Sequence, residues 1–332
     1  METNRTAGTL FSGTRSLRFE RFLIVLVIGA LSSLLFYWRI LPYVVQAFSF
    51  VLRKTMNIGG ALGLGSSTTI FLGMVEAPLV IKPYLKNMTQ SELFSLMTVG
   101  MACIAGTMMI IYATILNGVI PDPLGHILTA SFIHVAAAIT IARMMVPEAG
   151  EETAGSAMPP AGATSSMDAI VKGTMDGLYL VLNIIAMLLV IVALVQLVNV
   201  IFRALPNVAG GPITLQRILG VIMSPVVWLF GIPWSQAQTA GALMGTKTVL
   251  NELLAFLDMA KLPAGSLDAR SSLIMTYALV SFANFGSLGI LIGGLGSLAP
   301  ERRDEVVSLG MRSLLAGTLA TCMTGAVVGI LT

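Results

Sequence analysis

Charge is what this 332-residue sequence has least of: Lys, Arg, Asp and Glu together make up 11% of it. That scarcity, set beside 56% hydrophobic residues and a mean hydropathy of +0.89, excludes an ordinary soluble domain and points to an integral membrane protein. Cysteine is nearly absent as well. Cys103 and Cys322 both lie in apolar stretches without partner spacing, so small buried thiols are expected, with neither a disulfide nor a metal site. The two histidines, His126 and His134, have no carboxylate or cysteine at ligand spacing and are expected to be packed. No glycine-rich phosphate loop or zinc signature occurs, and the "GSS" starting at Gly65 lacks the setting of a nucleophile elbow. Nor do a base, a nucleophile and an orienting group occur at recognisable spacing, so an enzyme is not expected. The net charge of +3 comes from arginines and lysines at the ends of apolar runs. In a membrane protein that marks topology before it marks a nucleic-acid surface, and no nucleic-acid partner is expected.

What the sequence has in quantity is long charge-free runs: 22–38, 93–121, 123–142, 177–202, 218–246, 271–300 and 313–332. A hydrocarbon core about 30 Å thick takes about 20 helical residues to cross. The expected fold is therefore all-α integral membrane, a helical bundle in lipid, multi-pass in the cell inner (plasma) membrane. Residues 1–21 are polar and basic, and no cleavable leader is expected. Arg15, Arg18 and Arg21 favour one orientation and Arg53 with Lys54 the other, which leaves the sidedness of the N-terminus open. The amphipathic stretch 41–56 suits an interface, and 147–167, rich in Pro, Gly, Ala and Ser, reads as a flexible aqueous loop between two halves.

The halves share a layout. Each has a glycine-containing apolar entry, then a charged segment, "GMVEAPLVIKPYL" at 73–85 or "GTKTVLNELLAFL" at 245–257, then a long span interrupted by small and polar residues, at 101–107 or 284–296. Two interrupted apolar segments at matching places point to a transporter with an internal repeat and a midplane site. Backbone that leaves the helix inside a membrane survives only where protein or a wet cavity satisfies its hydrogen-bonding groups.

Glu76 and Glu252 are the sharpest candidates, because an ionisable group at a helix centre costs about 2.5–3.5 kcal/mol on insertion scales and so needs partners or a function. Structural ion pairs, Glu76 with Lys82 or Glu252 with Lys247, are the alternative. Thr248 and Glu252 lie on one helix wall with Asn251 beside them, and Asn284 and Ser287 share a face. Carboxylate, amides and hydroxyls without a cationic cluster suit a neutral, hydroxyl-rich solute. Asn183, Gln196 and Asn199 read as interhelical hydrogen bonds.

The stretches "FLGMVEAPLVIKPYLKNMTQSELFSLMTVGMACIAGT", "LMGTKTVLNELLAFLDM" and "YALVSFANFGSLGILIGGLGSLAPERR" resemble the concentrative nucleoside transporter family of bacterial type, with the similarity running from about Phe22 to Thr332. The resemblance implies a homotrimer in the lipid bilayer, two re-entrant hairpins and two broken helices in inverted repeat, and secondary, elevator-like import of a nucleoside with Na+ or H+ as coupling ion and no other cofactor. It assigns 22–58 to a scaffold span plus interfacial helix, 59–122 to the first hairpin and broken helix, 123–146 to a scaffold span and 147–168 to the flexible loop. A scaffold span and connecting helix would then occupy 169–232, the second hairpin and broken helix 233–300, and a C-terminal span 301–332, with the two peripheral helices that usually come first expected to be missing. Glu76 would bind ribose or base and Glu252 the ribose hydroxyls, supported by Asn251 and completed by Asn284 and Ser287. Where the family usually reads Gly-Gln-Thr-Glu, this chain has Gly73, Met74, Val75 and Glu76, so two base partners have become apolar. Around the family's sodium site it has Thr69 in place of an asparagine and Cys103 where Ser or Thr is common, with Leu72, Ile104 and Thr107 completing the candidate coupling-ion set. Hard cations prefer oxygen, so this weakens a sodium site and favours protons. The alternatives are a proton-coupled carrier of another hydroxyl-rich solute, or a non-transporting gate or accessory protein with nucleoside-recognition hairpins.

Overall fold

The computed structural model describes residues 26–74, 76–155, 163–207 and 211–332, apart from the side chains of Leu180, Asn183, Ile184, Met187, Leu188, Ile191 and Val192. The basic segment 1–21 and Val75 lie outside the described residues. Among the described residues the chain is helical, with a single isolated bridge, Asn117 to Ile120, in place of any strand. The helices run in the order α1 (Leu26–Tyr37), α2 (Ile40–Met56), α3 (Gly60–Leu72), α4 (Glu76–Val80), α5 (Lys82–Leu85), α6 (Gln90–Ala102), α7 (Gly106–Ile115) and α8 (Pro123–Met145). Then come α9 (Ser166–Arg203), α10 (Leu215–Leu229), α11 (Trp234–Val249), α12 (Glu252–Met259), α13 (Ala269–Leu279), α14 (Phe285–Leu298) and α15 (Arg303–Leu331). Of these, Gln90–Ile115, Pro123–Met145 and Pro300–Leu331 are long and apolar enough to cross a membrane, and α10 with α11 passes the same test as a pair bent by 116°.

The described residues form two compact units. In the first, α1 meets the N-terminal part of α9: the Trp38 indole donates to Ser166 Oγ at 3.1 Å, and Gly29 lies so near Gly173 that a Cβ there would stand 2.5 Å from the Gly173 carbonyl oxygen. Only glycine permits that approach.

The second unit carries the repeat. A short hairpin (α3 with α4), a broken helix (α6 then α7) and a continuous span (α8) are followed later by α11 with α12, α13 then α14, and α15 in the same order. α6 lies at its centre, buried from Ser91 to Ala102 and packed by α3, α8 and α15. Caps start these helices where the sequence offers them. Thr89 and Glu92 close a capping box on α6, and Asp122 accepts from Gly125 N–H ahead of Pro123 on α8. Asp268 accepts from Ser271 N–H at 2.6 Å on α13, a bond that holds its carboxyl below the usual carboxylate range. In α3, Ser67, Thr68 and Thr69 return their hydroxyl protons to the carbonyls of Gly63, Leu64 and Gly65, so the polar end of an apolar helix satisfies itself.

Two sequence expectations change here. The glycine run from Gly286 to Gly296 does not interrupt its span, because α14 continues through it and the break lies earlier, at 280–284, where Asn284 caps the new helix. The stretch expected to be a flexible loop is tied down over 148–153. Thr153 donates its N–H and hydroxyl to the Glu92 carboxylate (2.9 and 2.7 Å), its carbonyl accepts from Ala61 N–H, Glu148 accepts from the Thr89 hydroxyl, and Arg143 bridges to Glu152. The strap thus holds the starts of α3 and α6 together. Farther on, Asn199 behaves as read: its amide bonds Gln216 and the N–H of Leu215, joining the end of α9 to the start of α10.

Candidate functional site

The site grows out of four places where helix stops in the middle of the second unit. At the first, α3 ends at Leu72 because Gly73 turns to φ +98°, a conformation that side chains rarely adopt, while its N–H still bonds the Thr69 carbonyl. Opposite it, α6 ends at Ala102; the chain runs extended through 103–105, and α7 restarts at Gly106. The two meet closely, for a Cβ on Gly73 would lie 3.0 Å from the Ala105 Cβ, and one on Gly106 would lie 2.9 Å from the Phe71 carbonyl oxygen.

The second half repeats the scheme with side-chain caps. α11 stops at Val249, so Thr248 and Glu252 stand on separate helices and not on one wall as expected, and Asn251 caps α12 by accepting from Leu254 N–H at 2.9 Å. α13 stops at Leu279, and Asn284 caps α14 by accepting from Ser287 N–H at 2.7 Å. Between them, Phe282 N–H donates to the Cys103 carbonyl at 3.2 Å, which fastens the break in one broken helix to the break in the other. Each gap thereby satisfies part of the backbone that the other leaves open.

Glu252 is the centre of the polar chemistry. It is the first residue of α12 and 4% exposed. The Tyr112 hydroxyl of α7 donates to Oε1 at 2.5 Å, and the Asn284 amide donates to Oε2 at 3.0 Å. Because Ser287 N–H already occupies the Asn284 oxygen, the amide nitrogen is the end that faces the carboxylate. One residue from each broken helix therefore holds a carboxylate delivered by the second hairpin. A carboxylate has about four acceptor positions; Tyr112, Asn284 and the residue's own backbone N–H use part of them, and what is left is available to a ligand. The structural ion pair with Lys247 does not form: Lys247 is fully buried within electrostatic reach of Glu252, His134 and Cys322, yet its ammonium has no hydrogen-bond partner among the described residues.

The other expected residues fall into two groups. Asn284 and Ser287 are buried beside Glu252's partner bonds, while Asn251 is half-buried with its amide oxygen committed to the α12 cap. Met74 is buried with its Cβ against Gly100 of α6, near Leu291 of α14; Val75 is outside the described residues. Glu76 opens α4 and is exposed, with Oε2 close to Gly73, and α4 packs against α14, the helix that Asn284 caps. The coupling-ion candidates lie on the facing segments 69–73 and 103–107. Thr69, Cys103 and Ile104 are buried, Leu72 and Thr107 half-buried, and the Cys103 thiol turns toward the Ser131 carbonyl of α8 at 3.8 Å. Tyr112 is the residue that sequence reasoning passed over. Its only signal was a phenol six positions into the apolar half of a broken helix.

Residues 126–329 match the family described as Na+ dependent nucleoside transporter C-terminus, and residues 20–118 match one described as Gate, nucleoside recognition. An uncharacterised transporter of Haemophilus influenzae is 38% identical over 319 residues, covering 92% of this chain and 74% of that protein. Nucleoside permease NupC of Helicobacter pylori is 34% identical over 312 residues, covering 92% and 73% respectively. The structure of CNTnw in an inward-facing substrate-bound state superposes with a TM-score of 0.86 at 32% identity, over 94% of this chain and 75% of that one.

Proposed function

The chain belongs to the concentrative nucleoside transporter family, and from that premise we propose that it imports nucleosides across the inner membrane by symport with a cation. It is a multi-pass membrane transporter and not an enzyme. The single observation that carries the substrate reading is the buried Glu252 carboxylate, held by Tyr112 and Asn284 from the two broken helices with acceptor capacity left beyond these bonds. Two adjacent hydroxyls of a ribose match that offer, and the solute brings no charge that would have to be desolvated against a second ion.

In this reading Glu252 takes the sugar hydroxyls, Asn284 and Ser287 line the sugar, and Asn251 fixes Glu252 by capping its helix. Glu76, exposed at the start of α4, meets the base end. Met74 and Val75 give the base an apolar contact in place of hydrogen bonds, so it is selected by stacking and shape. Hydrogen bonds to neutral partners each net about 0.5–1.5 kcal/mol, and losing two of them lowers base-specific affinity by one to two orders of magnitude.

The coupling ion in this reading is the proton, carried on a carboxylate. What supports it is the donor set facing the α3 tip: Thr69 offers a single hydroxyl oxygen and the Cys103 thiol is turned to α8, so the oxygen ligands for a hard cation are the Thr69 and Thr107 hydroxyls and backbone such as that of Leu72 and Ile104, with no side-chain carbonyl among them. The breaks at 103–105 and 280–284 are bonded to each other, which suits an elevator-like displacement of the hairpins and broken helices as one body within a homotrimer. The test is uptake of labelled uridine into liposomes holding the purified protein, with competing nucleosides and polyols, under a sodium gradient or a proton gradient. We expect nucleosides to compete, polyols to fail, and an inward proton gradient to drive accumulation with choline in place of sodium. Strict dependence on sodium overturns the proton assignment, and competition by polyols alone overturns the nucleoside assignment.

A further inference from the structure

We propose that Tyr112 is a positioning residue of the sugar site, which together with Asn284 fixes the rotation of the Glu252 carboxylate and thereby sets a preference for ribonucleosides over 2′-deoxyribonucleosides. The inference rests on the nucleoside reading above and deepens it.

The terminal torsion of a glutamate is broad, so a carboxylate tethered only by its own chain turns freely. Here two donors pin it from opposite elements, Tyr112 from α7 on Oε1 at 2.5 Å and Asn284 from α14 on Oε2 at 3.0 Å. The phenol–carboxylate distance lies at the short end of the charge-assisted range, about 2.5–2.7 Å. Tyr112 itself cannot move aside easily. It is fully buried, and its ring stands 5.0 Å from that of Phe256, on the same α12 helix that carries Glu252. Ring and hydroxyl thus grip one helix at two points, and the carboxylate plane is defined relative to α12.

A fixed plane matters only to a ligand that uses both oxygens. A vicinal diol that spreads its two donors over both oxygens needs the carboxylate held in one plane, and it loses one bond when the plane turns. A single hydroxyl, as in a 2′-deoxyribose, follows a rotating carboxylate and keeps its one bond. Removal of the phenol hydroxyl therefore acts on the diol selectively, whereas loss of a purely structural contact acts on both sugars alike.

Tyr112→Phe keeps the ring and its contact with Phe256 and removes only the donor. In liposomes holding the purified variant, we expect the KM for uridine to rise roughly five- to tenfold, the worth of one charge-assisted bond in part. The KM for 2′-deoxyuridine should stay within about twofold, and the maximal rate per carrier should change little. Calorimetric binding of both nucleosides to detergent-purified protein gives the same ratio independently of insertion yield. An unchanged uridine to deoxyuridine ratio in Tyr112→Phe, or a fall in maximal rate equal for both, overturns the positioning role alone. A parental protein that does not distinguish the two sugars overturns it as well, and a parental protein that takes up neither overturns the nucleoside reading and this inference together.

Discussion

Glu252→Gln changes one oxygen to an amide and leaves the volume almost untouched, so its effect can be worked out bond by bond. The Asn284 oxygen is fixed by Ser287 N–H, which obliges the Asn284 amide to present N–H groups to position 252. A glutamine there can accept from Tyr112 with its carbonyl oxygen, but its own NH2 group then meets the Asn284 NH2, donor against donor. If it flips, the clash moves to the Tyr112 hydroxyl, which must turn away inside a fully buried pocket. Either way one buried donor is left unsatisfied, at about 1–3 kcal/mol. The substrate loses more: one sugar hydroxyl faces a donor in place of an acceptor, and the other keeps a neutral acceptor in place of a charged one. Charge-assisted bonds are worth about 1.5–3 kcal/mol and neutral ones about 0.5–1.5 kcal/mol, so the transfer costs about 2–4 kcal/mol, a loss of affinity between about 30-fold and 1,000-fold. Uridine uptake by the variant in liposomes, measured at the parental KM, should fall by about 15-fold to about 500-fold. Uptake at the parental rate and KM would refute the role of the carboxylate and the bond-by-bond reasoning with it.

Two further substitutions separate local roles. Gly73→Ala places a Cβ at φ +98°, in a region that costs a non-glycine residue about 1–3 kcal/mol, and 3.0 Å from the Ala105 Cβ. Thermal stability in detergent and uptake should both drop, and a variant indistinguishable from the parent on both counts contradicts the tight hairpin turn. Asn251→Ala removes the α12 cap at a cost of about 1 kcal/mol, whereas Asn251→Ser keeps a capping oxygen. Melting curves should show the alanine variant destabilised and the serine variant close to the parent; a uridine KM raised equally in both would instead make Asn251 a direct ligand.

Much of the fold was legible because a membrane narrows the choices. Long apolar runs have to be helices, and a carboxylate or a Pro within one must mark a break or a site, which is how 73–85 and 245–257 announced two hairpins. Glu252 was legible by the same logic, since its charge stood out against an apolar surround. The position of the second break was less so. Glycines at 286–296 suggested it, but a glycine inside a helix costs only about 1 kcal/mol, which packing against α15 offsets, whereas the side-chain cap at Asn284 decides where α14 begins. The strap over 148–153 stayed hidden because its composition is that of a loop, and its partners, the buried Glu92 carboxylate that accepts from Thr153 and the Thr89 hydroxyl that donates to Glu148, lie far from it in the sequence. Tyr112 was hidden for the opposite reason. A tyrosine in an apolar helix reads as packing, and nothing in its neighbours along the chain foretells a carboxylate arriving from position 252.

The most direct test is a cryo-electron microscopy structure of the purified protein with uridine bound. The account predicts both ribose hydroxyls within hydrogen-bond reach of the Glu252 carboxylate, at about 2.5–3.0 Å, with Tyr112 and Asn284 still bonded to it. A nucleoside seated elsewhere, or Glu252 turned away from the sugar onto Lys247, would contradict it.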